Sequence, residues 1–355
     1  MEIVRDVANE IRESVREYTR YHRLNLLGIS VFDCNQDVET YSDWINYTCG
    51  EDGIDYELWR VPTKGLSDLE TAAILEKKIR IANEMPGIHG VLIYYPLLAK
   101  PVCAIGEEDE EGGNFLPGTR TSRAPGVQIK TTDDEFRNKV RYDRDVEGLC
   151  SKYHSRRIFR NTDLYVDTFG HISNGSEGII FPCTALAVVR ILQRCIHGSN
   201  VFVPEGKRFQ DVTVTIINRS EILGRPLASL LANDGATVYS IDVDSVLCYK
   251  PNSGRVQNCT YHDEFTAETC IKRSTVVVTA VPSSTFNIPV EWISPGSTVV
   301  NVSSDPNVAE DEVMKVQGVT YVPQVGKVTI AVLEQNLVFL HQRHHASKEI
   351  YTSIT

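Results

Sequence analysis

No apolar run in this sequence approaches the roughly 18 residues that a membrane span needs, so it reads as a soluble chain with no membrane partner. It also lacks a CxxC pair and any Cys/His spacing of the zinc kind. Its nine cysteines, an odd number, are scattered, which favours a reduced compartment over a disulfide framework, and no metal is expected. Basic residues are in deficit, 36 against 47 acidic, for a formal charge of -11, and this excludes the basic footprint of a nucleic-acid binder. The first ten residues mix acids and bases without a signal peptide's apolar core or an acid-poor transit character, so the cytoplasm is the expected compartment. No internal repeat stands out.

What is present is ordinary for a globular protein: 42% hydrophobic and 23% charged residues in 355, long enough for two domains at roughly 100–200 residues each. Ile3, Val4, Val7, Ile11, Val15 and Tyr18 recur at helical spacing and predict an opening amphipathic helix. Apolar runs at 26–32, 56–61 and 90–95 alternate with helical patterns at 38–50 and 67–84, the signature of an α/β domain on a mostly parallel sheet. Between 98 and 131 the pattern stops at an acidic run and a Gly/Pro/Ser/Thr/Arg stretch. A solvated mobile loop is expected there, with a lid or partner contact as the functional alternative.

A helix over 133–140, a tight turn at 144–149 and helix-start signals at Pro182 and Thr184 follow. Strands are then expected at 212–218, 236–242, 275–280, 297–302 and 319–322, with helices at 227–234 and 329–343. This is a second, doubly wound unit.

The turn Asn218-Arg219-Ser220-Glu221-Ile222-Leu223-Gly224 lies between a strand and a helix, where a Rossmann unit receives a pyrophosphate on a helix N-terminus. Only Gly224 of the usual glycines is there, so a plain βα turn is the competing reading. Asp242 ends the next strand, near the roughly 20-residue offset at which an acid meets the adenosine ribose, and a carboxylate there favours NAD by repelling a 2′-phosphate. Asp244 is a rival for that contact. Arg219 hints the opposite way, since an arginine in this turn can serve a phosphate.

The stretch from Asn218 to Asp242 closely resembles the methylenetetrahydrofolate dehydrogenase family. So, in the family's order, do Gly90-Val-Leu-Ile-Tyr-Tyr-Pro-Leu, Asp145-Val-Glu-Gly-Leu, Pro182-Cys-Thr-Ala and Pro323-Gln-Val-Gly-Lys-Val-Thr-Ile-Ala-Val-Leu. The likeness covers most of the chain outside 99–131 and is greatest to the monofunctional, NAD-dependent form known from fungi. It implies two α/β domains with a cleft between them. The first is a folate-contacting domain over 1–182, joined by the C-terminal helix 329–355, and the second is a Rossmann NAD-binding domain over 183–328. It further implies a homodimer acting on tetrahydrofolate one-carbon derivatives, in one-carbon metabolism that serves purine biosynthesis.

By the same resemblance Tyr41, Tyr94, Pro96 and Leu97 lie beside the pterin, and Glu147 accepts from its amino edge while Asp145 braces the turn. Thr184, next to Cys183, orients the nicotinamide, and Tyr41, Glu147 and Thr184 are the catalytic candidates. Asn218, Arg219, Ser220, Gly224, Arg225, Pro226 and Asp242 hold the cofactor, with Val281 and Pro282 over the nicotinamide ribose. Gly326 admits a close backbone approach, Lys327 meets a folate carboxylate, and Thr329, opening the last helix, contacts the cofactor. Read without the family, Tyr41 is a core tyrosine, Asp145 and Glu147 are surface ion-pair residues, and Cys183 simply packs.

The family's cyclohydrolase uses a Tyr-x-x-x-Lys pair and a glutamine before Leu-Pro-Leu. Here Tyr41 is followed by Ile45, and the glutamine position is Tyr94. Hydrolysis of a methenyl bridge needs a proton shuttle, so its loss argues against that second activity. Dehydrogenation needs no protein base, because hydride leaves as the flanking nitrogens form an amidinium. A bifunctional dehydrogenase/cyclohydrolase and a non-enzymatic folate- or nucleotide-binding regulator are the alternatives.

Overall fold

The computed structural model describes residues 2–31, 36–95, 97, 132–154, 180–199, 203–204, 206–243, 245–251, 256–259 and 265–347. The expected loop at 98–131, Pro96 and Asp244 lie outside them. The chain forms two compact units, one of Met1–Glu13 with Tyr153–Leu333 and one of Ser14–Lys152 with Glu334–Thr355. No described helix is long and apolar enough to cross a membrane.

In the unit of Ser14–Lys152, strands β1 (Leu24–Val31), β2 (Ile54–Val61) and β3 (Gly90–Ile93) form a parallel sheet in the order β2-β1-β3. β1 is buried almost throughout, as a central parallel strand covered on both faces must be. The helix Asp68–Glu84 starts at a capping box, Ser67 accepting from the Glu70 amide while the Glu70 carboxylate accepts from the Ser67 amide. Its buried residues Thr71, Leu75, Ile79 and Ala82 recur at three- and four-residue steps, and the last three join Leu27, Ile29, Val91 and Ile93 in one core. After the helix Thr132–Lys139, Val91 donates its amide to Arg144 O at 2.7 Å, and an isolated bridge lays Asp145 alongside β3.

Glu334–Thr355 completes this unit. Asn336 Nδ2 donates to Val146 O at 2.8 Å. The helix Gly326–Leu340 runs on into a π-turn, His341–His345, whose imidazoles sit among aromatic neighbours. His341 Nδ1 is 2.8 Å from the Tyr18 hydroxyl, and its ring meets that of His89 edge-on at 4.7 Å. His89 Nδ1 accepts from the Asn25 amide and His345 Nε2 donates to Asp143 O, so two of these rings have fixed tautomers. The expected helix at 329–343 begins three residues early, because Val325 O already accepts from the Val328 and Thr329 amides.

The other unit carries a sheet in the order β10-β9-β8-β4-β5-β6-β7 among the described residues. β4 (Thr213–Ile217), β5 (Thr237–Asp242), β8 (Val276–Thr279), β9 (Thr298–Asn301) and β10 (Thr320–Val322) are parallel, with the helices Cys183–His197 and Gly224–Asn233 in the same unit. Since β4 has β5 on one side and β8 on the other, the strand order reverses there, the kind of switch point at whose carboxyl ends open α/β sheets receive ligands. β6 (Ser245–Tyr249) and β7 (Val256–Cys259) were not foreseen, and they continue the sheet antiparallel beyond β5. The helix expected at 227–234 starts at Gly224. Pro226 therefore falls in its first turn, where a missing N–H costs little.

A Cβ on Gly90 would collide with Val146 and would stand 2.7 Å from Leu337. Gly90→Ala is therefore expected to lower stability by about 1–3 kcal/mol, the usual range for overpacking, in thermal or denaturant unfolding. Leu337→Ala added to Gly90→Ala should give less than the sum of the two single losses. Additive losses would rule out a close contact between the added methyl and Leu337.

Candidate active site

Tyr41, Ser42 and Ile45 share the helix Gln36–Glu51. Ser42 and Ile45 are buried and Tyr41 is half-buried. At the end of β3, Tyr94 is 5% exposed; its hydroxyl is 2.6 Å from that of Tyr56 on β2, and Tyr56 is in turn 3.0 Å from the Ser42 hydroxyl. The Tyr41 ring meets the Tyr94 ring edge-on at 6.3 Å. Burial pushes the Tyr94 phenol far above the usual tyrosine range, with the Tyr56 phenol adding to it, and burial also raises Tyr56. The chain thus has a buried isoleucine, Ile45, where the resemblance puts lysine, and a tyrosine in a hydroxyl cluster, Tyr94, where it puts glutamine.

Tyr56 and Ser42 were missed in the sequence. Gly28 was the available signal, since a glycine inside a strand marks a close approach, and a Cβ there would run into the Tyr56 hydroxyl.

On the turn beside β3, Asp145 is buried and accepts from the Gly148 amide at 3.1 Å and the Cys150 amide at 2.7 Å, which fixes the turn. Glu147 is half-buried, and its Oε2 accepts from the Ile93 amide at 3.2 Å. Burial first, then the charge of Asp145, lifts the Glu147 carboxyl from 4.5 to about 8; burial raises Asp145 as well. The Arg137 guanidinium lies 5.3 Å from the centre of the Tyr95 ring and pairs with Asp134, while Leu97 donates its amide to Asp133 at 3.1 Å.

In the other unit, Asn218 adopts a left-handed backbone with φ 85°, its amide donating to Ile241 O and its Nδ2 donating to Ala280 O at 2.6 Å. Gly224 is required, because a Cβ there would fall on the Asn218 carbonyl. The opening turn of the helix Gly224–Asn233 was expected to offer unpaired amides, and the structure corrects this. Arg225 N donates to Ser220 O at 3.0 Å, Gly224 N reaches Ser220 Oγ at 3.4 Å, and Pro226 has no N–H. What remains for an anion is the axial dipole, the bare Gly224 backbone and the flanking side chains. Arg225 is held by Glu221 at 3.0 Å.

Asp242 ends β5 with its Oδ1 accepting from the Val243 amide. Arg219, read as a phosphate ligand, instead donates to both side chains and both carbonyls of Ser240 and Ser245. The loop after β8 depends on Asn307, missed in the sequence. Its Oδ1 accepts from Thr279 Oγ1 and from the Val281 amide, and its Nδ2 donates to Val281 O, so one buried amide pairs both backbone groups of Val281. Pro282, beside it, is exposed.

Thr184, half-buried, follows buried Cys183 in the helix Cys183–His197. Thr329 lies one turn inside the last helix rather than at its start, its hydroxyl donating to Val325 O at 3.4 Å. Lys327 is exposed. A Cβ on Gly326 would meet no described atom within 4 Å, and its φ is not positive, so neither packing nor backbone conformation demands glycine there.

Gly224 lets the turn fold back on itself, with Asn218 O and Arg219 Cα filling the space a side chain would take. No described cluster of His, Cys, Asp or Glu could hold a metal ion.

Comparison with known proteins gives one answer. Residues 1–105 match the family model for the tetrahydrofolate dehydrogenase/cyclohydrolase catalytic domain, and residues 182–345 match that for its NAD(P)-binding domain. The NAD(+) methylenetetrahydrofolate dehydrogenase of Schizosaccharomyces pombe is 34% identical over 341 residues, covering 94% of this chain and 91% of that protein. Its Saccharomyces cerevisiae counterpart is 32% identical, covering 96% and 94%. The solved structure of the NAD-dependent 5,10-methylenetetrahydrofolate dehydrogenase from Saccharomyces cerevisiae superposes with a TM-score of 0.74 at 29% identity, covering 98% of this chain and 97% of that one.

Glu147 yields a pH-dependent test. A carboxyl whose pKa is higher folded than unfolded costs stability increasingly as pH rises from about 5 through about 8. Glu147→Gln removes that cost, so thermal melts should show the variant gaining on the native chain at pH 9 relative to pH 5. Equal shifts at both pH values would mean that Glu147 titrates normally.

Proposed function

The chain belongs to the tetrahydrofolate dehydrogenase/cyclohydrolase family, and from that premise we propose that it oxidises 5,10-methylenetetrahydrofolate to 5,10-methenyltetrahydrofolate, with NAD as hydride acceptor and no hydrolysis of the product. The observation that carries this reading is the buried pairing of the Tyr94 hydroxyl with that of Tyr56, together with a buried isoleucine, Ile45, at the lysine position. Ile45 has no ionisable atom, and a phenol held neutral by burial donates a hydrogen bond but takes up no proton. The hydrolytic step thus lacks its shuttle. The oxidation needs none, because the bridging carbon's own nitrogens drive hydride departure, and the protein's work is alignment.

In this reading Tyr41 and Tyr94 bracket the pterin with Pro96 and Leu97, and Glu147 accepts from its amino edge, which favours the carboxylate form on binding. The open space over Gly326 suits a ligand lying against backbone. Asn218, Ser220, Gly224, Arg225 and Pro226 hold the pyrophosphate side, Asp242 the adenosine ribose, and Val281, Pro282, Thr184 and Thr329 the nicotinamide end. Bound there, NAD supplies the two-electron acceptor. We assign the folate side to residues 1–182 with the final helix, and the cofactor side to 183–328. The reading extends to a homodimer in the cytoplasm, in one-carbon metabolism serving purine biosynthesis; family pattern, acidic charge and scattered cysteines support it.

Initial rates with methylenetetrahydrofolate and either NAD or NADP test the proposal, with the methenyl product followed against its spontaneous hydrolysis. NAD reduction with methenyl accumulating is expected. Faster loss of methenyl would restore the bifunctional reading, and tight binding of both ligands without turnover would make the chain a regulator. Asp242→Ser should raise NADP use relative to NAD by about tenfold, the scale of one lost charge repulsion. An unchanged ratio would move the ribose contact elsewhere.

A further inference from the structure

Arg219 reaches sideways from the turn after β4 to the hairpin of β5 and β6. Its Nε donates to Ser240 Oγ at 3.2 Å and its Nη1 to Ser245 Oγ at 2.9 Å; its Nη2 donates to the carbonyls of Ser240 at 2.6 Å and Ser245 at 2.9 Å. A guanidinium has five N–H donors in a rigid plane, and these four bonds occupy two edges of it. Ser245 is the ladder partner of Asp242, and Ser240 lies two residues before Asp242 on β5. The arginine therefore grips both sides of the hairpin at the strand end that carries the acid.

We propose that Arg219 and Ser245 are positioning residues for coenzyme selection. The guanidinium pins the β5–β6 hairpin so that Asp242 stands at the adenosine ribose, and being pinned it is withheld from a 2′-phosphate. The inference rests on the assignment of Asp242 to that ribose. It resolves two opposing signals, because the arginine that the sequence offered to the phosphate is committed to holding the acid that repels it. To turn toward a phosphate, Arg219 would have to abandon two backbone carbonyls, a change that costs binding rather than adding to it. β6 is what makes this possible. A parallel neighbour at that edge would begin elsewhere, whereas the antiparallel return brings Ser245 directly opposite Asp242.

The experiment measures kcat and KM for NAD and NADP in the native chain, Ser245→Ala, Ser245→Thr, Asp242→Ser and the double variant Asp242→Ser/Ser245→Ala. Ser245→Ala should raise KM for NAD roughly fivefold or more with kcat within about twofold, the scale of losing one charge-assisted bond at a distance from the chemistry. Ser245→Thr, which keeps the hydroxyl, should restore the native KM. In the double variant, NADP use should rise no further than in Asp242→Ser alone, because the arginine still holds Ser240 and both backbone carbonyls. Equal losses with both coenzymes, or NADP use in the double variant above that of Asp242→Ser, would overturn the proposal.

A measurement on the native chain needs no variant to fold: 2′,5′-ADP should bind no more tightly than 5′-ADP, and tighter binding would mean that Arg219 is available. If the native chain uses NADP in preference to NAD, the coenzyme reading itself fails. NAD preference with an unaltered Ser245→Ala fails this inference alone.

Discussion

One residue holds the exits of three elements in register. Asn218 joins β4 to β5 through its amide, to the segment after β8 through its side chain, and to the helix Gly224–Asn233 through a carbonyl that leaves room only for glycine. Its left-handed backbone costs little for asparagine and much more for a β-branched residue, so the residue type follows from the geometry. The strand ends around β4, the position of Asp242 and the loop that Asn307 anchors at Val281 all adjoin this junction. A displaced Asn218 would disturb the hydrogen bonds of β5 and of the loop after β8 together.

In the unit of Ser14–Lys152 the governing constraint is desolvation. A buried hydroxyl without a partner costs about 1–3 kcal/mol, and the Ser42–Tyr56–Tyr94 chain gives each hydroxyl one. The cluster stays neutral across the physiological range. Glu147 differs from the cluster, because burial and then the charge of Asp145 lift its carboxyl to about 8.

Much of the architecture was legible because parallel α/β units write themselves as alternating apolar runs and amphipathic helices. β3 is a continuous apolar stretch, β1 is apolar apart from Asn25, Gly28 and Ser30, and Asp68–Glu84 announces itself by its capping box. β6 and β7 were not legible. Ser245–Tyr249 and Val256–Cys259 are short and mix polar with apolar residues, and their pairing depends on a turn chemistry without the usual Asn-Gly or Asp-Gly. Helix starts at Gly224 and Gly326 were misplaced by three residues because glycine and proline suggested turns, while the bonds from Ser220 and Val325 had already begun the coil. Among candidate site residues, Tyr41, Ile45, Tyr94 and Glu147 came from motif order, whereas Tyr56 and Asn307 act through neighbours distant in sequence. Arg219 was visible as a residue, but its direction was set by strands the sequence did not reveal.

The unit of Ser14–Lys152 is finished by residues from 334 onward. Tyr18 meets His341 across 323 positions, Asn336 meets Val146 across 190, and Leu337 lies against the bare face of Gly90. During translation the first sheet therefore emerges long before the helix that covers it, and it waits with apolar surface open while the nucleotide-binding strands are made. Closure of the early unit therefore waits on residues that follow the whole seven-stranded sheet, so its folding is tied to the making of the unit it does not belong to.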